Sequence, residues 1–377
     1  MIQSILIYTL LLGVMMLFFY SASYNNKSFK SYQILIPLLL FSIVFGMRYD
    51  VGVDYISYLE AYLWKEDFSK NEFLFSLITN LSNYLNLHFV IYFSILAFIQ
   101  VFFFFYAFKK EVYLFPLLIF FLFTNGEIMS WMNIIRQSLA MCIWIYSIKY
   151  IEQKALWRYL FLGLIAYFFH RSAIILFIFY PLLRNGRDYF KNIPLQLILL
   201  ASALIIKELF FSLIMNFIDF IDFYLSLLGT DMYERSYNID GLLESFTTSS
   251  GTGLAYIWKL VINVVIILFS VKLKKYYNSR WFNIVYFFFF MGLITFYIFP
   301  EGAISFTRPF RYFYIFQSIM LAYFIYYLSK SNSLNNRILM IVIIISFLGI
   351  FYLNQITSDE NSHLWYQFFF QHKVNMY

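Results

Sequence analysis

Along most of the chain, apolar residues run on without the polar interruptions of a half-exposed helix or strand. A membrane-crossing helix needs about 20 mostly apolar residues, within a range of about 17–25. Runs of this length or somewhat shorter lie near 2–20, 31–47, 89–108, 112–125, 132–150, 159–170, 172–183, 194–213, 253–271, 281–300, 310–329 and 337–356. The pattern predicts an all-α, polytopic integral membrane protein of about 11–12 membrane helices. The two runs within 159–183 are each too short to cross alone; together they could form one long helix or a hairpin of two short ones with His170 and Arg171 at its tip, and the charge placement favours the hairpin. The first run has neither the basic start nor the small-residue cleavage site of a signal peptide, so it reads as a retained span. Over 72–88 the pattern changes. Leu74, Leu77, Ile78, Leu81 and Leu85 share a stripe, while Ser76, Asn80 and Asn83 fall off it. That spacing predicts an amphipathic helix lying along the membrane surface. Two connections are substantial, 47–88 and 214–252. The second carries Asp219, Asp222, Asp231, Glu234, Arg235, Asp240 and Glu244, and is long enough to cover a site. With no internal repeat and no low-complexity linker, 1–377 reads as a single polytopic domain.

Composition leaves no room for a sizeable soluble domain. Of 377 residues, 62% are hydrophobic and 12% are charged, against roughly 25% charged in soluble domains. Many of the 34 Tyr sit near the ends of apolar runs, where an amphipathic ring suits the membrane–water interface. The one cysteine, Cys142, lies within an apolar run and excludes an internal disulfide framework. A net charge of +7 first suggests nucleic acid, but its placement says otherwise. Alternate connections hold Lys27 and Lys30; Lys109 and Lys110; Lys149, Lys154 and Arg158; Arg184, Arg187 and Lys191; Lys272, Lys274, Lys275 and Arg280; and Lys330 and Arg337. Cytoplasmic loops carry such an excess of Lys and Arg. All six clusters fall on one side only if 159–183 turns back, which places both termini, 47–88 and 214–252 outside.

Against this bias stand Arg48, Arg136, Arg171, Arg308 and Arg311, all at outer span ends. One such Arg is readily explained by snorkelling to the interface. Five facing one compartment point to a site, since ionisable groups near spans are costly. Arg48 opens Gly46-Met47-Arg48-Tyr49-Asp50-Val51-Gly52-Val53-Asp54-Tyr55-Ile56-Ser57-Tyr58. Here a guanidinium suited to phosphate stands beside carboxylates that can take a proton and Tyr faces that can stack on sugar. Arg136 and Gln137 enter a span, and a helix N-terminus favours anions. His170 is suited by its ordinary pKa to act as donor or base, although a lone His at a turn is more often structural. Arg308 and Arg311 flank Pro309 at the start of another span, three residues apart and roughly on one face. The sequence contains no P-loop, Rossmann glycine pattern or HExxH, and its four His are scattered, so neither a metal nor a cofactor is expected. Cations, carboxylates and tyrosines at one membrane face fit an anionic, sugar-bearing lipid: a diphosphate for Arg, a glycan for Tyr and Asp, and a tail for the bilayer.

The ordered set Arg48-x-Asp50-x-Gly52-x-Asp54-Tyr55-x-x-Tyr58, Glu72, Asn133-x-x-Arg136-Gln137-x-x-Ala140, Phe169-His170-x-Ser172 and Arg308-x-x-Arg311-Tyr312 resembles the EpsG family of Wzy-like bacterial surface-polysaccharide polymerases. The likeness runs from about Gly46 to Trp365-Tyr366, and the 214–252 loop shows no matching motif. The resemblance implies a glycosyltransferase of the bacterial cytoplasmic (inner) membrane with its active site facing outward. It would join oligosaccharide repeat units carried on undecaprenyl diphosphate, in the making of O-antigen (lipopolysaccharide), capsule or exopolysaccharide. It further implies a flippase and a chain-length regulator of the same pathway as partners. On this reading Arg136, Arg308 and Arg311 hold the diphosphate, and Arg48 either joins them or positions Asp54. Asp54, Glu72 or His170 is the base, while Asp50, Tyr55, Tyr58, Gln137 and Tyr312 contact or position the glycan. A flippase of lipid-linked sugars would place its charges in a central cavity reaching both leaflets. An O-antigen ligase shares the donor but not the motif order. A membrane acyltransferase would carry a His deep in a span.

Overall fold

Within a bilayer every backbone N–H and C=O must find its partner inside the protein, and a helix satisfies them along its own length. The computed structural model describes residues 1–24, 30–66, 72–216, 253–299, 307–358 and 363–372. All twelve apolar runs contain helix. The chain is therefore an all-α, multi-pass membrane protein. Six of the described helices are long and apolar enough to cross a membrane, or seven if one bent pair counts as a single span. Four more apolar helices are shorter: Tyr32–Gly46, Leu156–Phe169, Arg171–Leu183 and Ile193–Ile206. Among the described residues, the expected membrane helices thus comprise full-length spans, one bent pair and shorter apolar helices. The 214–252 connection lies outside the described residues beyond Asn216, as does Lys27.

The chain divides into two compact units, Met1–Arg187 with Ser318–Tyr377, and Asp188–Gln317. The first contains α1 (Ile2–Tyr24), α2 (Tyr32–Gly46), α3 (Tyr55–Leu63), α4 (Phe73–Tyr84), α5 (Phe89–Ala107), α6 (Phe115–Thr124), α7 (Glu127–Asn133), α8 (Ile135–Ser147), α9 (Lys149–Glu152), α10 (Leu156–Phe169) and α11 (Phe179–Leu183). Helix α5 packs between α2 and α8, and α1 packs on α2 and α6. The 19 residues of α5 span about 28 Å, close to the roughly 30 Å of a hydrocarbon core. Its two ends differ in character. At its C-terminal end Lys109 and Lys149 lie over the Tyr106 ring, at 4.9 and 5.5 Å from the centroid. Its N-terminal end adjoins α3, since the Tyr62 hydroxyl donates to the Leu87 carbonyl at 2.7 Å.

The chain between α6 and α8 is broken twice. The helical stretch ending at Thr124 bends by 64° into α7, at Gly126 with φ +86°. Ile134, with φ −94° and ψ 53°, then separates α7 from α8. Residues 156–183 fold back as the sequence suggests. His170 is extended, with φ −157° and ψ 120°, between α10 and a 3-10 segment, Arg171–Ile178, that leads into α11. The two arms are joined by the Tyr159 hydroxyl, which donates to the Leu176 carbonyl at 2.5 Å. In α4, Phe75 and Ser82 face inward, and Phe73, Leu77 and Leu81 are exposed. An exposed apolar face of this kind suits lipid.

A two-stranded antiparallel ribbon ties the segment after α2 to the tail of the chain. β1 (Arg48–Tyr49) pairs with β2 (Gln367–Phe368), Arg48 opposite Phe368 and Tyr49 opposite Gln367. The tail follows α16 (Leu334–Thr357). It is anchored by the Tyr366 backbone N–H, which donates to Ser4 Oγ at 2.6 Å, and by the Tyr366 hydroxyl, which donates to the Val44 carbonyl at 2.5 Å.

The second unit holds α12 (Ile193–Asn216), α13 (Leu254–Tyr277), α14 (Arg280–Ile298) and the start of α15 (Arg311–Ser329). Polar pairs cross its interior. Lys274 Nζ meets Asp188 at 2.8 Å, the Tyr286 hydroxyl donates to Gln196, and Gln317 donates to Asn263.

Candidate functional site

Arg136 stands in the first turn of α8, just after the break at Ile134. The break turns the start of α8 toward α3 and α4. Arg136 Nη1 reaches Glu72 Oε2 at 2.7 Å, and its Nε donates to the Tyr58 hydroxyl at 3.2 Å. Glu72 is the residue immediately before α4, and Tyr58 is on the buried face of α3. The hairpin tip closes the group: His170 Nε2 lies 3.9 Å from Glu72 Oε1, and the Arg171 backbone N–H donates to the Glu72 carboxylate. The other ring nitrogen of His170 contacts the Ser172 hydroxyl at 2.7 Å. The start of α8 and the hairpin tip thus meet on the Glu72 carboxylate, and α3 joins the group through Tyr58 on Arg136.

Burial pushes the Glu72 carboxyl above its ordinary pKa, and Arg136 and Arg171 partly offset the rise. The Tyr58 phenol is likewise raised by burial, with Arg136 opposing. A charge removed from water needs a close partner, and Glu72 and Arg136 meet that need for each other.

Asp54 is exposed at the rim of this group. Its backbone N–H donates to Asn133 Oδ1 at 2.8 Å, which fixes the start of α3 on the end of α7. Gly52 makes the approach possible. Its φ is +95°, and an added Cβ would lie 3.2 Å from the Met132 carbonyl oxygen and 3.3 Å from Asn133 Cα.

Arg48 is built in differently. It is 2% exposed. Its Nη1 donates to the Phe45 carbonyl at 2.7 Å, and Nε and Nη2 reach the Val51 and Met132 carbonyls at 3.4 Å. Its guanidinium carbon stands 5.2 Å from the ring centres of both Tyr55 and Phe93. Burial lowers its pKa, although nearby tyrosines oppose the shift. Of the two alternatives for Arg48, this geometry favours the positioning one. Tyr55 and Tyr312 are fully buried and Gln137 nearly so. The Tyr55 hydroxyl donates to the Arg48 carbonyl at 2.8 Å. These three side chains are part of the packing rather than a surface open to a glycan. The Asp50 carboxylate contacts His363 Nδ1 at 3.0 Å. Arg308, in a 3-10 turn with Pro309, and Arg311, the first residue of α15, are half-buried in the second unit.

The structure therefore brings together Glu72, Arg136, Tyr58 and His170, with Asp54 alongside. Asn133, Arg171 and His363 also make contacts in this region, and none of the three is among the predicted site residues. Asn133 had a signal, three residues before Arg136, and Arg171 adjoined His170. For His363, far along the chain, local pattern carried none.

The fold and this cluster define a multi-pass membrane protein with an ionisable site built from helix ends. The chain belongs to the EpsG family, whose model matches residues 31–372. Family membership implies an enzyme of the polysaccharide polymerase kind. No curated protein and no solved structure matches the chain.

Proposed function

We propose that the protein is a Wzy-type polymerase of the bacterial cytoplasmic membrane. It joins oligosaccharide repeat units carried on undecaprenyl diphosphate at the outer face, toward O-antigen, capsule or exopolysaccharide. The observation that carries this reading is the Arg136–Glu72 pair, held by Tyr58 and the His170 tip, on helix ends away from the Lys-rich end of α5. A cation anchored at that level suits a diphosphate whose lipid tail lies in the bilayer.

In the proposed reaction, the acceptor sugar hydroxyl gives its proton to the Asp54 carboxylate as its oxygen attacks the donor's anomeric carbon. The bond from that carbon to the diphosphate oxygen breaks, and its electron pair leaves with undecaprenyl diphosphate. Arg136 stabilises the charge that develops there, an effect that strengthens where water is excluded. Glu72 holds Arg136 in place, and His170 borders the same carboxylate. Asp54 is favoured as base over Glu72 because Asp54 is an exposed residue, open to an incoming acceptor, whereas Glu72 is buried. Arg308 and Arg311 are assigned to the diphosphate on the sequence pattern alone. The energy comes from the sugar–diphosphate bond, so no cofactor is invoked. A flippase and a chain-length regulator are the expected pathway partners.

Deletion of the gene tests this. The expected result is surface glycolipid carrying a single repeat unit, restored to polymer by the wild type and not by Arg136→Ala. Bare acceptor would instead indicate a ligase, and glycan stranded inside a flippase.

A further inference from the structure

The segment bearing Asp54 is held from the far end of the chain. His363 touches it twice: its Nδ1 lies 3.0 Å from Asp50 Oδ1, and its carbonyl accepts the Gly52 N–H at 2.9 Å. Both members of the side-chain pair have left-handed backbones, Asp50 at φ 50° and His363 at φ 51°. Asp and His reach that region more easily than most residues, yet it remains uncommon and persists only where surroundings impose it. Two facing residues share it here, at the point where the tail crosses the segment. Immediately beyond, Gly52 presses on the Met132–Asn133 backbone and Asp54 is fixed to Asn133.

The tail does not need His363 in order to dock. Tyr366 is buried and bonded to Ser4 and Val44, the Phe369 N–H donates to the Met47 carbonyl at 3.0 Å, and Trp365 donates to Gln355. The Asp50 and His363 side chains are each about 30% exposed. A pair at that exposure adds little to fold stability. Its physical effect is directional, since it sets the path of residues 50–54.

We propose that His363 is a positioning residue. Through Asp50 and Gly52 it fixes the Arg48–Asp54 segment on the α7–α8 junction and so sets the place of Asp54. The consequence for catalysis rests on the polymerase reading; the positioning itself does not.

The test uses the full-length protein in lipid vesicles, with a lipid-diphosphate-linked repeat unit as substrate. His363→Ala is expected to lower kcat about tenfold with KM changed less than about twofold, since small misplacements of a reacting group act on the chemical step. His363→Asn keeps a donor and tolerates the left-handed backbone, and is expected to recover most of the rate. Hydrogen exchange supplies a readout independent of turnover. In His363→Ala the amides of residues 52–55 should exchange at least ~10-fold faster, with those of 366–369 unchanged, as loosening confined to one segment demands. Wild-type exchange at residues 52–55 would overturn the proposal, and so would equal acceleration in the tail, which would mark general undocking. Polymerising wild type with unchanged kcat in His363→Ala would overturn the catalytic consequence. Wild type that forms no polymer, with the expected exchange pattern, would support the positioning and overturn the polymerase reading.

Discussion

Arg48 gives its guanidinium to three backbone carbonyls, whereas Arg136 gives its to two side chains, Glu72 and Tyr58. The difference predicts different failures. Arg48→Ala would strip partners from buried carbonyls, at about 1–3 kcal/mol for each one left unsatisfied. Against a total stability of roughly 5–15 kcal/mol, the expected result is less folded protein in the membrane, read by thermal unfolding in detergent. Arg136→Ala leaves the buried Glu72 without its partner and so lowers stability, but the protein that still inserts should lose polymerisation by at least ~100-fold if Arg136 stabilises the leaving diphosphate. Polymer of wild-type length from Arg136→Ala would end that assignment. Glu72 adds a pH dependence. Burial raises its pKa, so on lowering pH it gains a proton earlier than an ordinary carboxyl near 4.3. The proton removes the charge that holds Arg136, so activity falls with pH, and the acid limb lies above the usual carboxylate range. Glu72→Gln should remove that limb and be slow at every pH. A pH–rate profile in vesicles would show whether the limb survives the substitution.

At the scale of elements, the site depends on interruptions. The break at Ile134 frees the first turn of α8, the extended His170 makes the hairpin tip, and the segment after α2 turns at Gly52. Apolar runs located the helices, and the placement of the Lys/Arg clusters favoured the fold-back of 159–183 over one long helix, because only a fold-back puts all six clusters on one side. Neither located the α7–α8 break, which falls within an apolar stretch and is set by packing. Gly52→Ala should be disproportionately harmful. A left-handed φ is strained by a Cβ, by about 1 kcal/mol or more, and this Cβ would also crowd Met132 and Asn133. We expect at least a ~10-fold loss of polymerisation, consistent with misplacement of the group that Asp54 supplies. Wild-type rates would mean that the segment adjusts without moving Asp54.

At the scale of the molecule, orientation rests on charge. Lys109 and Lys149 gather by Tyr106, at the end of α5 remote from His88. Basic residues of this kind tend to stay in the cytoplasm, which supports the outward-facing Arg136–Glu72 cluster of the proposed function. Cys142 is buried, so single cysteines added elsewhere report cleanly. With an impermeant thiol reagent applied to intact cells, Trp64→Cys should label and Lys154→Cys should not until the membrane is opened. The reverse pattern would invert the topology and move the proposed chemistry to the wrong side.

The sequence alone determined the helical membrane class, the twelve apolar runs, the charge bias and the order of the polar motifs. Each of these follows from local composition and from the demand that backbone groups be satisfied in lipid. Only the tertiary structure decided which Arg is buried against carbonyls and which is paired with Glu72. It alone brought Arg136 and His170 onto the Glu72 carboxylate, and seated the tail through His363 on Asp50 and Gly52. Those outcomes depend on desolvation and on contacts between residues far apart in the chain, and neither is encoded in the spacing of neighbouring residues.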